Sequence, residues 1–191
     1  MSIQTSAFFF CAAFSACLFA APVETLTEPC AKCHGAAGVS TQAKTPHLNG
    51  QLSDYLEEDI SGIANGGRAT SIPNHVPRSW TAREISAVAK FYATSKGTRP
   101  AQSADAALVA QGAGLYKKRC ADCHPDSGRG SDHDAPLLAA QDLDYLVEQV
   151  RAFVSGKRKF VFMMDDAFRG LSLSELESIA HFFAAQDQFK K

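Results

Sequence analysis

A chain of 191 residues has room for one medium domain or two small ones. Its 19 basic and 20 acidic side chains leave a net charge of -1, which argues against a partner bound through nucleic-acid phosphates. The charge is also spread evenly, with 8 basic and 7 acidic residues in 22–100 and 11 and 13 in 101–191.

The first predicted element is an export signal. Residues 1–21 hold no charged side chain, and the apolar run Ala7 to Ala21 is short of the roughly 20 residues that span a bilayer. With small residues Ala20 and Ala21 at the cut, the segment reads as a secretory signal peptide that sends the mature chain to the periplasm. An uncleaved anchor, or a lipoprotein signal at Phe14-Ser15-Ala16-Cys17, is the alternative. Cleavage removes Cys11 and Cys17 and leaves four cysteines, with none to spare for a disulfide.

A helix then leads into Cys30-Ala31-Lys32-Cys33-His34. Two cysteines three apart with a histidine directly after the second form the attachment site of a c-type haem. The cysteines take thioether bonds from the vinyl groups, and the histidine is the proximal iron ligand. The motif recurs as Cys120-Ala121-Asp122-Cys123-His124, so two covalently bound haems are expected. A zinc ribbon spaces its cysteine pairs about 15 to 20 residues apart, whereas these start 120 minus 30, or 90, residues apart. A thioredoxin-like pair would follow a β-strand, and no β-branched run precedes either motif. Both alternatives leave the histidines unexplained.

The rest of the chain is a duplication. Pro46-His47-Leu48-Asn49-Gly50-Gln51 falls on Pro136-Leu137-Leu138-Ala139-Ala140-Gln141, Tyr55 on Tyr145 and Gly66 on Gly156, all at a shift of 90. Trp80 to Ile85 matches Leu171 to Leu176 at 91, so one residue has been gained or lost after Gly156. Each half is predicted to hold three helices and no strand. The first runs into the cysteine motif, most clearly over Ala104 to Cys120. The middle one covers Ser53 to Ala64 and Asp142 to Ser155, where Leu143, Leu146, Val147, Val150 and Phe153 recur at helical spacing. The last opens on a capping box, Thr81 to Glu84 and Ser172 to Glu175, and carries an apolar stripe. The domains are cut at 22–96 and 104–191, with 97–103 as the linker.

With these motifs the chain resembles the dihaem class I cytochromes c: the cytochrome c4 family and the related cytochrome subunit of flavocytochrome c sulfide dehydrogenase. The c4-like parts are Cys30 to Gly35, the Pro46 to Gln51 segment and the paired terminal helices, while Pro100 to Cys120 leans towards the sulfide dehydrogenase subunit. The resemblance implies an all-α fold of two tandem class I cytochrome c domains related by a pseudo-twofold axis, with haems close enough to exchange electrons. In the second family it also implies an FAD-containing flavoprotein partner that oxidises sulfide.

The resemblance places the second axial ligand in the loop before the last helix. In the second half Met164 stands there, with Met163 in reserve; a pair of gap-filling core methionines is the other reading. In the first half the same offset lands on Pro73, and no methionine exists in residues 22–162. His75 is the candidate ligand there, the alternatives being an open site or a non-protein ligand. His47 lies in the segment expected on the proximal side, near His34; His133 and His181 are expected at the surface. The metal-ligand set is thus His34, His75, His124 and Met164. The expected role is electron transfer without bond chemistry in this chain, as the electron-accepting subunit of a sulfide-oxidising flavocytochrome. The alternatives are a free c4-like shuttle to a terminal oxidase and a haem protein whose open first haem binds a ligand or substrate.

Overall fold

The computed structural model describes residues 21–100, 102–132, 134–161 and 164–188. The expected signal peptide, apart from Ala21, lies outside them, as do Met163 and His133. Among the described residues the secondary structure is helical throughout, with no strand.

The first half contains α1 (Val23–His34), α2 (Ser53–Asn65) and α3 (Ala82–Thr94). The second contains α4 (Ala106–Arg119), α5 (Pro125–Gly128), α6 (Leu143–Val154), α7 (Met164–Phe168) and α8 (Leu173–Ala184). Both capping boxes form: Thr81 and Ser172 accept from the backbone of Glu84 and Glu175, whose side chains reach back to the cap N–H groups. Asp105 and Asp142 cap α4 and α6 by accepting backbone N–H groups, without the reciprocal bond, and both helices are one or two residues shorter at each end than predicted. The two short helices exceed the three-helix expectation for the second half. At 4 and 5 residues they are too short to show a periodicity, and α5 holds Asp126 and Ser127 at left-handed angles.

Each half has its own core. In the first, Leu26, Leu56, Val88, Ala89 and Tyr92 pack together, with Cys30 against them. In the second, Tyr116, Leu146, Leu176, Ile179, Phe182 and Phe183 do so, with Cys120 alongside. Equivalent backbone bonds frame both. Leu48 and Asn49 N–H donate to Gly38 O, and Leu138 and Ala139 N–H to Gly128 O. Gly50 N–H donates to Tyr92 O, and Ala140 N–H to Phe183 O. Gly50 and Ala140 are both left-handed, at φ 65° and 54°. That conformation costs a residue with a Cβ about 1 kcal/mol, so the turn is dictated by the fold and not by local preference.

The halves meet through contacts that obey the same pseudo-twofold. Arg68 Nη2 donates to Tyr145 Oη (2.9 Å), and its repeat mate Arg158 donates from Nη2 to Tyr55 Oη (3.3 Å). Arg68 also pairs with Asp59, where the second half has Gln149 as the acceptor from Arg158. Between α3 and α4, Arg99 lies only 4 % exposed, with its guanidinium bonded to both halves. Its Nη2 donates to Asn49 O (2.8 Å), its Nη1 to the equivalent Ala139 O (3.0 Å) and its Nε to Asn49 Oδ1 (3.1 Å).

Candidate haem sites

The histidine that closes each motif is buried, His34 as the last residue of α1 and His124 beyond the end of α4. His34 Nδ1 lies 2.9 Å from Pro46 O, and His124 Nδ1 lies 2.9 Å from Pro136 O. A carbonyl can only accept, so each ring carries its proton on Nδ1 and presents a bare Nε2, the tautomer that a metal-ligating histidine needs. Burial pushes both imidazoles below their ordinary pKa, keeping them neutral. None of the four motif cysteines is in a disulfide. Burial raises the Cys30 thiol and pushes Cys120 up to about 12, so neither is set up for thiolate chemistry.

The distal side of the first half is built by the loop between α2 and α3. It brings His75 opposite His34, with ring centroids 6.1 Å apart and planes within 7° of parallel. A metal bound by ring nitrogens at about 2 Å on each side, with each ring centre about 1 Å behind its nitrogen, needs a separation of roughly 6 Å. His75 Nδ1 is engaged by Thr70 Oγ1 at 3.1 Å, which leaves Nε2 as its free nitrogen too. Burial, and then the Arg68 charge, lower the His75 pKa. A cavity of about 240 Å³ adjoins it, lined by Ile63, Arg68, Thr70, Ile72 and Arg78 among others. Pro73 lies in the same loop.

The distal side of the second half is built differently. Met164 opens α7 and is partly buried, its N–H donating to Val161 O at 3.2 Å. Helix α7 is held by an aromatic trio, Phe153, Phe160 and Phe168, with centroids 4.9 to 5.8 Å apart and the Arg158 guanidinium 4.7 Å above Phe153. The repeat puts Ile63 and Thr70 where Phe153 and Phe160 stand. The loop that ends on a methionine is thus packed by rings, and the loop that carries a histidine is hydrogen-bonded. His47 is buried and does lie on the proximal side, its N–H one peptide bond from the carbonyl that His34 uses. His181 is half-buried at the surface, where its Nδ1 accepts the Asp105 N–H at 3.2 Å and helps to seat α4.

Residue-by-residue reading missed Arg99, Thr70 and the glutamines Gln51 and Gln141. Only the last two left a signal, as identical residues closing the duplicated segment. The donor set fits haem c: in each half a thiol pair and a neutral histidine with Nε2 bare, and in the first half a second imidazole at the separation of a shared metal.

Two half-molecules of this kind, related by a pseudo-twofold and each ending its first helix at a Cys-x-x-Cys-His motif, define a tandem class I cytochrome c. No family model matches the chain. Cytochrome c4 from Pseudomonas aeruginosa is 30 % identical over 138 residues, covering 68 % of either chain, and this chain belongs to the cytochrome c4 family. A thiosulfate dehydrogenase electron acceptor from Thiomonas intermedia is 26 % identical over 92 % of this chain and 88 % of its own. The cytochrome subunit of sulfide dehydrogenase from Chlorobaculum tepidum is 29 % identical over 36 % of this chain and 62 % of its own. The crystal structure of reduced cytochrome c4 from Pseudomonas stutzeri superposes with a TM-score of 0.72 at 24 % identity, over 86 % of this chain and 96 % of that one. The chain is an electron-transfer cytochrome.

Proposed function

We propose that the mature chain is a periplasmic dihaem cytochrome, cut at 22–96 and 104–191, that accepts electrons from a dehydrogenase of reduced sulfur compounds. Cys30 and Cys33 would hold one haem c and Cys120 and Cys123 the other. His34 with His75, and His124 with Met164, would be the residues that ligate the two irons. When bound, haem c supplies a one-electron Fe(III)/Fe(II) couple. The chain's part is to exclude water, fix the imidazole tautomers and choose the distal ligand. The observation that carries this reading is the 6.1 Å, near-parallel placement of His34 and His75.

As dehydrogenase, a thiosulfate-oxidising enzyme is favoured by the relative that spans 92 % of the chain. A sulfide-oxidising FAD flavoprotein is favoured by the shorter match of the sulfide dehydrogenase subunit and by the Pro100 to Cys120 stretch. Mixing the purified protein with each dehydrogenase and its substrate, and following haem reduction, separates the two. Reduction by neither leaves the free shuttle.

Histidine favours ferric iron relative to methionine, so the first haem is expected at lower potential than the second. Denaturing mass should show two added haems; a smaller mass sinks the reading. Redox titration should show two waves, with His75→Ala changing the lower one and turning the oxidised spectrum high-spin. If His75→Ala leaves waves and spin state alone, His75 is no ligand. A first haem already high-spin in the wild type, beside the cavity at His75, favours a ligand-binding site.

A further inference from the structure

The carbonyl that orients each proximal histidine belongs to a peptide group whose N–H is also occupied, and its partner lies in the other half. Pro46 O accepts from His34 Nδ1, while the N–H of the same peptide, that of His47, donates to Gln141 Oε1 at 2.7 Å. Pro136 O accepts from His124 Nδ1, while the N–H of Leu137 donates to Gln51 Oε1 at 2.9 Å. Each glutamine completes a bracket, Gln141 Nε2 donating to His47 O (2.9 Å) and Gln51 Nε2 to Leu137 O (3.0 Å). Each Oε1 also accepts the next N–H of its own chain segment, from Asp142 and from Leu52. Both side chains are buried, at 4 % and 5 % exposure, and the bonds fix which amide atom is oxygen.

We propose that these glutamines are crossed positioning residues: Gln141, in the second half, sets the electron density of the first half's proximal histidine, and Gln51 sets that of the second. This rests on the haem reading above. Hydrogen bonds in series polarise one another, by about 10–30 % per bond. An amide whose N–H is donated carries more negative charge on its oxygen and pulls harder on the histidine Nδ1–H. The imidazole becomes a more electron-rich ligand, which favours ferric iron and lowers the potential. Loss of a glutamine therefore raises the potential of the haem in the opposite half.

An ordinary interface contact predicts something else. Loosening the interface would disturb both haems alike, or would disturb mainly the half that carries the change. The crossed pattern belongs to the shared peptide groups alone.

The test is a redox titration of full-length holoprotein, wild type against Gln141→Met and against Gln51→Met, with waves assigned through the proton resonances of His34 and His124. Gln141→Met should raise the first-half wave more than the second, and Gln51→Met the reverse. Where a methionine variant does not fold, Gln→Asn keeps the site polar but is one methylene too short to bridge, and gives the same comparison. Equal shifts, shifts confined to the altered half, or none overturn the proposal while haem content stays at two. A denaturing mass short of two haems overturns the haem reading, and this proposal with it.

Discussion

His47 occupies the place that Leu137 fills in the other half, yet it is only 3 % exposed. Its Nδ1 accepts the Ser40 N–H at 3.1 Å, a bond that only the unprotonated ring can accept. Burial, followed by the Arg99 charge, pulls its pKa from 6.5 to about 4. Between those values the unfolded chain binds a proton that the folded chain refuses, so the contribution to stability is intact above pH 6.5 and is lost as pH falls. At about 1.4 kcal/mol per unit, the loss by pH 4 is of order 3 kcal/mol. His47→Leu should flatten this limb in denaturant titrations run from pH 7 to 4. Near pH 7 it should cost about 1–2 kcal/mol, because the Ser40 N–H loses its acceptor, and the flattened limb should offset that cost as pH falls towards 4. An unchanged acid limb would place the titration elsewhere.

Two glycines of α4 separate propensity from packing. Gly112 sits where α4 crosses α8, and a Cβ there would come within 2.1 Å of Ser178 O, itself on a fully buried residue. Gly114, one face away, has nothing within 4 Å. Alanine is favoured over glycine inside a helix by about 1 kcal/mol. Gly114→Ala should therefore stabilise by up to that amount. Gly112→Ala should destabilise by about 1–3 kcal/mol, because the helices must move apart. Thermal unfolding of the two variants should shift in opposite directions; shifts of the same sign would show that α4 does not approach α8 this closely. At this scale the helices were legible from their caps and apolar spacing, but the crossing was not, since Gly112 and Gly114 look alike in a sequence.

At the scale of the whole molecule, Arg99 is one of the groups that join the two halves. Its fork bonds two carbonyls that the duplication makes equivalent, Asn49 O and Ala139 O, and burial lowers its pKa only to about 10, so it stays charged at neutral pH. Among the described residues no ion pair to a carboxylate is seen for it. Arg99→Met removes a buried charge but strands both oxygens, with an expected net loss of about 2–4 kcal/mol. The two halves of this variant should then unfold in separate transitions, where the wild type is expected to unfold in one. Arg99→Lys keeps the charge without the fork and should lose most of the same stability. A variant that unfolds like wild type would rule out the fork as the staple.

What the chain's residues determined alone was whatever depends on order and local chemistry. That includes the two Cys-x-x-Cys-His sites, the duplication at a shift of 90, the capping boxes at Thr81 and Ser172, and a missing methionine in the first half with His75 near its place. These are short-range or self-repeating patterns, and each is visible within a few residues or by comparing the halves. Only the tertiary structure could decide that His75 stands parallel to His34, that an aromatic trio packs the Met164 helix, and that Gln51 and Gln141 each reach into the opposite half. Such facts depend on where a loop returns in space, and on hydrogen bonds between residues 86 and 94 positions apart. Buried amide and peptide groups must find partners wherever the packing puts them.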